Sequence, residues 1–352
     1  MNNPHDAALW QQLKAEGLVQ GEMPNTEIEH HPWYLRSLQG FTGWFAAWFV
    51  LGSIFAIFYK ALESKEIALV FGVATLAGAY FIYQKAKQSD FIGQFALAIS
   101  LTGQSLCIYA WRDLLHDPLG WWLVALMSAS LAWLMPSFIH RFLSSSMAIG
   151  AILLGCMDWP IVWLLPSIVV TAMAALWLME SKWLIHSDRV RPIAYALTVS
   201  ALQIHSLTLL GVNGLGQLIH GRDLPSGSFL LAVNEVLLGF ALVATVGVLL
   251  KRYKISYQQP QAWLALLLAT VLALVSQKAT GLAVAWILIV IGFANGHRVL
   301  LALGVCVFWG YLARYYYFLN WTLLEKSYLL IATGVFLLVV RQIGQRWRQH
   351  HE

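Results

Sequence analysis

Long apolar segments, separated by short polar stretches, recur from residue 38 almost to the end of the chain. Many of them reach or approach the roughly 20 residues that a helix needs to cross the hydrocarbon core of a bilayer. They are apolar on all sides, whereas the strands of a membrane barrel alternate between apolar and polar residues. The pattern therefore predicts an all-α, polytopic transmembrane helical bundle.

We expect about twelve spans, and because the fifth, ninth and tenth are short, counts of ten or eleven stay open. The predicted spans are Leu38–Phe58, Ile67–Tyr83, Phe91–Ala110, Leu119–Met135, Leu143–Met157, Pro160–Met179, Pro192–Val212, Phe229–Leu250, Gln261–Ser276, Ala279–Ala294, Val299–Leu319 and Leu323–Val340.

The basic residues of the loops indicate the orientation, since Lys and Arg accumulate on the cytosolic side of a membrane protein. With a cytosolic N-terminus, thirteen basic residues fall in the cytosolic loops and C-terminal tail, and five fall on the opposite side. The cytosolic set is Lys85, Lys87, Arg141, Lys182, Arg189, Arg191, Lys251, Arg252, Lys254, Arg298, Arg341, Arg346 and Arg348, and the outer set is Lys60, Lys65, Arg112, Arg222 and Lys278. Both termini are therefore predicted to be cytosolic.

Three regions follow from this topology. Residues 1–37 form a polar cytosolic tail, in which a short amphipathic helix is expected from about Asp6 to about Glu16. Residues 38–341 form the transmembrane bundle, and residues 342–352 form a basic cytosolic tail.

Composition excludes a soluble domain, because 59% of the residues are hydrophobic and only 11% are charged, against roughly 25% charged in soluble proteins. The net charge of +5 comes mostly from loop residues, so the expected partner is the lipid bilayer and not nucleic acid. The three cysteines, Cys107, Cys156 and Cys306, lie far apart and indicate no disulfide or metal site. No catalytic motif or cofactor motif is present, so the sequence assigns no catalytic residue, no metal and no cofactor, and it favours a non-enzymatic role.

Polar side chains inside the spans are the candidate chemistry, because burying them in lipid costs a few kcal/mol unless they are paired. Helix rise places several of them in one layer, roughly 7 to 11 Å below the predicted outer ends of their spans. The candidate ligand-binding residues are Glu235, Asn234, His205, Gln104, Arg314, Glu325 and Tyr316.

The three charged members of this set define its chemistry. Arg314 and Glu325 stand about equally far from the turn at Asn320 and are expected to form an ion pair, although such pairs more often fix helix packing than bind ligands. Glu235 has no basic neighbour on its own helix, so its partner must come from another span.

Three functions fit these residues. The first is a transporter-like or ligand-binding membrane protein with a polar pocket in the outer half of the bundle. The second is a non-catalytic membrane scaffold or partner subunit, in which the same groups only fix packing. The third is an intramembrane enzyme acting on a lipid-linked substrate, which would need Asp113, His116 or Asp158 to join the layer.

Both ends of the chain carry a resemblance. The segment PWYLRSLQGFTGWFAAWFVLGSIFAIF from Pro32 and the segment RYYYFLNWTLLEKSYLLIATGVFLL from Arg314 resemble the start and the end of an uncharacterised family of bacterial integral-membrane proteins, known as a domain of unknown function. The resemblance implies a multi-pass protein of the bacterial inner (cytoplasmic) membrane. It also implies a small membrane-associated partner protein with a GDYxxLxY signature, and it implies no catalytic residues.

Overall fold

The computed structural model describes residues 4–17, 33–85, 90–115, 118–209, 228–277 and 281–318, together with residues 327, 328 and 331. This part of the chain is helical throughout, with no strand. The α-helices are α1 (Pro4–Ala15), α2 (Trp33–Leu62), α3 (Lys65–Lys85), α4 (Asp90–Leu114), α5 (Leu119–Leu134), α6 (Phe138–Gly155), α7 (Leu165–Leu178), α8 (Glu180–Trp183), α9 (Ser187–Leu209), α10 (Ser228–Arg252), α11 (Pro260–Ser276), α12 (Leu282–Ala294) and α13 (Arg298–Phe318). Short 3-10 helices cover Pro160–Leu164 and Leu184–His186.

Six of these helical segments are long and apolar enough to cross a membrane. They belong to α2, α3, α4, α6, α10 and α7 with the 3-10 helix before it, while α5, α11 and α12 are shorter apolar helices. The prediction of an all-helical, membrane-embedded protein is therefore confirmed. The count of about twelve spans and the cytosolic position of both termini stay predictions. The twelfth predicted span, Leu323–Val340, lies almost entirely outside the described residues, as does the basic C-terminal tail.

Helix α6 begins five residues before the span expected from Leu143. Its first residue, Phe138, follows Ser137, which has the extended backbone (φ −81°, ψ 134°) of a residue that precedes a helix. Pro136 lies just before Ser137 and favours extended backbone at Met135, so the turn between α5 and α6 is short. As a result His140, which sequence reasoning left in a loop, lies in the first turn of α6 and is fully buried.

Helices α2 to α6 form a first group, in which α3 and α4 make the most extensive contact. Two glycines allow this close approach. A Cβ added to Gly103 of α4 would lie 2.8 Å from the backbone oxygen of Gly72, and one added to Gly72 of α3 would lie 2.7 Å from Cys107 Sγ. Small residues at such a crossing let two helices in a membrane pack backbone against backbone.

Helices α7 and α9 to α13 form a second group around α12. Its residues Val284, Ile287 and Ile291 are fully buried in a core to which α7, α9 and α10 also contribute. A helix of 13 residues is only about 20 Å long, shorter than the hydrocarbon core of roughly 30 Å. Because α12 is surrounded by other helices, its apolar side chains pack against protein.

The main contact between the two groups joins α6 to α9. In this contact, Phe138 of α6 lies against Tyr195 of α9, with ring centroids 6.4 Å apart. At one end of this contact, the Arg141 guanidinium donates a hydrogen bond of 2.8 Å to the backbone oxygen of Asp188 in the first turn of α9. We call this contact the α6–α9 seam.

The approach of α3 and α4 predicts a difference between two glycine substitutions. Gly103→Ala places a methyl group against the α3 backbone and should lower the free energy of unfolding by about 1–3 kcal/mol, the usual range for an overpacked site. Gly78→Ala is the matched control, because a Cβ there meets nothing within 4 Å. Unfolding in mixed detergent micelles measures both. Equal stability of the two variants would contradict the close approach of α3 and α4.

Candidate functional site

Tyr311 of α13 is the centre of a polar cluster formed with α9 and α10. The tyrosine is 7% exposed, and its ring lies edge-on to that of His205, with centroids 6.4 Å apart and an interplanar angle of 75°. The other side of the ring lies against Gly281, where an added Cβ would be 2.7 Å from the ring. Gly281 also has a φ of 96°, which L-residues with a side chain rarely adopt. The ring of Tyr311 therefore occupies the space that a side chain at position 281 would need, and the backbone of Gly281 limits where the ring can lie.

Polar groups from three helices lie around the Tyr311 hydroxyl. Ser206 of α9 adjoins it, and Arg314 of α13 and Glu235 of α10 are near enough for their charges to act on it. Arg314 and Glu235 are half-buried, whereas His205 is 1% exposed. The cluster thus combines an acidic group, a basic group, a hydroxyl and an imidazole inside a membrane protein. Such a combination can bind a ligand that carries both a charge and hydrogen-bonding groups.

Hydrogen bonds to backbone groups hold the α10 segment of this cluster. Asn234 is 3% exposed, and its Oδ1 accepts a hydrogen bond of 3.0 Å from the backbone N–H of Ser167, one of the N–H groups of the first turn of α7 that lack a partner within the helix. Gln277 Nε2 donates to the backbone oxygen of Glu235 over 3.0 Å. These bonds fix the position of the α10 backbone at Glu235, from which the Glu235 side chain extends.

The structure brings together part of the predicted set. Glu235, His205 and Arg314 lie in the neighbourhood of Tyr311, and Asn234 precedes Glu235 on α10. Gln104 does not belong to this cluster and lies in the first group of helices. Glu325 and the side chain of Tyr316 lie outside the described residues, and so does the expected ion pair between Arg314 and Glu325.

Gln104 belongs to a second buried cluster, centred on His140. The Nε2 atom of His140 is 2.6 Å from Ser100 Oγ and 3.5 Å from Gln104 Nε2, and its Nδ1 is 3.2 Å from Ser144 Oγ. All four side chains are 0% exposed. Tyr83 of α3 adds an edge-on ring contact of 6.0 Å to His140. The imidazole thus joins α3, α4 and α6 and has hydroxyl neighbours on both nitrogens.

Sequence reasoning missed this cluster because it placed the start of the fifth span at Leu143. The available signal was the dipeptide Pro136–Ser137, which is a common sequence for the residues just before a helix. A helix starting there would have put His140 and Ser144, which are four residues apart, on one face.

A third polar cluster lies at the predicted cytosolic end and was not anticipated. The Asn295 side chain donates to the backbone oxygen of Trp177 over 2.9 Å and to Glu180 Oε2 over 3.0 Å. Its Oδ1 accepts a hydrogen bond of 2.8 Å from Arg252. The other oxygen of Glu180 is 3.2 Å from His297 Nε2. We call these side chains the inner network; it joins the ends of α7 and α10 to the turn before α13.

Aromatic rings surround the inner network. Trp177 is fully buried, and its ring centroid lies 5.0 Å from that of His297 and 5.2 Å from that of Tyr195. Its Nε1 donates to Thr198 Oγ1 over 3.0 Å, so the indole N–H is satisfied as a buried tryptophan requires. Glu180 and His297 are themselves only 14% and 19% exposed. The inner network and these rings together connect α7, α9 and α10 with the turn before α13.

Within the described ranges, no group of three or more His, Cys, Asp or Glu residues could hold a metal ion. Cys107 and Cys156 are buried as free thiols, and Cys306 is an exposed one.

Comparison with known proteins gives one assignment. No curated protein and no solved structure matches the chain significantly. The model of a protein family, described as domain of unknown function DUF4401, matches residues 32–347. This range includes both terminal segments and every cluster described above. The chain therefore belongs to the DUF4401 family of domains of unknown function.

Proposed function

We propose that this protein is a transporter-like membrane protein that binds a small polar ligand at the cluster around Tyr311. The observation that carries the proposal is that Glu235 of α10 and Arg314 of α13 both lie near enough to one buried tyrosine for their charges to act on it. Opposite charges on two membrane helices are costly unless they are paired or used. A ligand with a cationic or hydrogen-donating group and an anionic group would complement both side chains.

The positions of the polar clusters support a path along the same helices. Glu235 and Arg252 are 17 residues apart on α10, which is about 25 Å along the helix. Tyr311 lies 13 residues beyond Arg298, the first residue of α13, which is about 20 Å. Helices α10 and α13 thus lead from the Tyr311 cluster to the inner network. In this proposal the inner network keeps the cytosolic end closed while the ligand binds at the outer end, as alternating access requires.

We also propose the membrane, the number of spans and the orientation. We place the protein in the bacterial inner membrane with about twelve spans and both termini cytosolic. The distribution of Lys and Arg between alternate loops supports this orientation.

A scaffold or partner subunit is the second candidate function. The hydrogen bonds of Asn234 to Ser167 and of Gln277 to Glu235 favour it, because both reach backbone groups across helices and fix packing directly. The two functions differ in what the Glu235 carboxylate does.

The charge of Glu235 is the feature to test. A panel of amino acids, amines and sugar phosphates is screened for compounds that raise the thermal unfolding temperature of the purified protein, since a ligand that binds only the folded state stabilises it. Glu235→Gln should weaken binding of such a compound at least about tenfold, equivalent to about 1.4 kcal/mol, while the ligand-free variant unfolds as the wild type does. Glu63→Gln, at an exposed carboxylate outside the cluster, should bind normally.

Two results would contradict ligand binding at this site. One is equal binding by Glu235→Gln and wild type. The other is a Glu235→Gln protein that loses stability and co-purification of a partner protein together, which is the result expected of a scaffold.

The inner network predicts a local change in hydrogen exchange. Asn295→Ala removes hydrogen bonds to Trp177, Glu180 and Arg252 and should cost about 1–3 kcal/mol, the usual penalty for buried polar groups left without partners. Amide exchange at the end of α10 and the start of α13 should then accelerate roughly 5- to 100-fold, as measured by mass spectrometry. Gln258→Ala, an exposed change in the loop after α10, is the control. Unchanged exchange in Asn295→Ala would show that the network does not hold this end closed.

A further inference from the structure

A groove runs along the lipid-facing side of the first group of helices, between α2 and α3, with α4 as its floor. Its volume is 530 Å³, within the roughly 300–1,000 Å³ typical of small-molecule sites. Trp48 and Phe55 form the α2 wall, Phe71 and Ala74 form the α3 wall, and Leu106 lies on the floor. The groove is separate from the polar clusters described above.

The packing of α2 explains why the groove exists. Near one end, α2 lies so close to α4 that a Cβ on Gly43 would be 2.7 Å from the backbone oxygen of Phe91. Toward the other end, α2 meets α3 through the rings of Phe58 and Phe71, whose centroids are 5.6 Å apart. Between these contacts stands Gly52, where an added Cβ would meet nothing within 4 Å. No side chain of the described residues fills the space at that point.

The chemistry of the groove suits hydrocarbon. Its two threonine hydroxyls are already used, since Thr75 donates to the backbone oxygen of Gly72 over 2.8 Å and Thr102 donates to that of Ala98 over 3.0 Å. The walls are apolar and largely open to the surroundings, with Trp48 71% and Phe55 58% exposed. In a bilayer, the hydrophobic effect does not distinguish the groove from bulk lipid, so preference for one molecule must come from close packing and from charge.

Charged groups lie beyond one end of the groove. Lys60 of α2, Lys65 of α3 and Arg112 of α4 each stand five or six residues beyond the last lining residue of their helix, a distance of roughly 7 to 9 Å along the helix axis. The three helices alternate in direction, so all three cations are at the same end. Lys65 Nζ lies 3.3 Å from the centroid of the Tyr109 ring.

Three carboxylates share that end. Glu66 accepts a hydrogen bond of 2.6 Å from the Ser64 hydroxyl, Glu63 is exposed, and Asp113 follows Arg112 on α4. The mixture of three cations and three carboxylates suits a headgroup that contains a phosphate diester and also carries an amine. A plain fatty acid or a second apolar helix would leave this arrangement of charges unused.

We propose that the groove holds one acyl chain of a membrane phospholipid, whose phosphate binds beside Lys60, Lys65 and Arg112. Gly52 and Ala74 provide the room for the chain, and Trp48 and Phe55 pack against it. The lipid then fills the gap that α2 leaves against α3 and becomes part of the packing of the first group. This site does not depend on the ligand proposed for the Tyr311 cluster.

Filling the groove tests the proposal. The protein is purified in mild detergent, and phospholipid bound per chain is counted by native mass spectrometry. Wild type should retain one phospholipid, whereas Gly52→Leu combined with Ala74→Phe should retain at least about tenfold less, which corresponds to about 1.4 kcal/mol of binding. Val73→Phe is the matched control, because Val73 is 54% exposed and does not line the groove. Equal retention by all three proteins would overturn the proposal.

Charge is tested separately. Lys60→Gln combined with Arg112→Gln should also reduce retained phospholipid about tenfold, while Lys251→Gln, near the opposite end of the bundle, should not. Retention unaffected by the loss of both cations would overturn the phosphate site.

Photocrosslinking in intact membranes tests the proposal without the groove-filling variant, so its result does not depend on whether that variant folds. A benzophenone amino acid at Phe55 should form an adduct with the mass of a phospholipid. An adduct with protein, either a second copy or another membrane helix, would overturn the proposal and identify the groove as a protein interface.

Discussion

Several amide side chains inside this protein are hydrogen-bonded to backbone atoms of other helices, because hydrocarbon offers them no other partner. Asn234 satisfies an N–H at the start of α7, Gln277 reaches the backbone oxygen of Glu235, and Asn295 reaches that of Trp177. Each of these bonds crosses between helices that are far apart in sequence. The arrangement of the second group of helices therefore depends on a few amide side chains as much as on its apolar core, since moving a helix would leave several groups unsatisfied together.

The class of the fold could be predicted from the sequence, because a membrane imposes a length and a composition on each helix. The length of α12 was also visible as a short apolar segment, although its burial inside the bundle was not. A segment of 13 apolar residues looks the same whether lipid or protein surrounds it. The start of α6 was missed because apolar content rises only after His140 and Arg141, whereas the backbone turns into a helix at Phe138.

For the candidate site, the sequence allowed a prediction of the depth of each side chain along its helix and of nothing else. Helix rise gives the depth of a side chain, and depth was the reason to consider Glu235, His205 and Arg314 together. It does not give the neighbours of a helix. Gln104 has a similar predicted depth, but α4 packs with α2, α3 and α5 and so places Gln104 beside His140. Tyr311 was overlooked because the sequence does not show which of the tyrosines of α13, Tyr311 or Tyr315 to Tyr317, faces the polar residues of neighbouring helices.

The α6–α9 seam has a mechanical consequence. Phe138 of α6 lies against Tyr195 of α9 with ring centroids 6.4 Å apart, and Arg141 of α6 donates a hydrogen bond to the backbone oxygen of Asp188. Small buried residues of α6 face the first group instead, since Ser144 accepts a hydrogen bond from Gln104 of α4 and Ala151 packs against α5. Large interdigitated side chains resist sliding because each must leave its neighbours. Movement of α9 against α6 would have to break both the ring contact and the hydrogen bond, so the seam couples the two groups of helices.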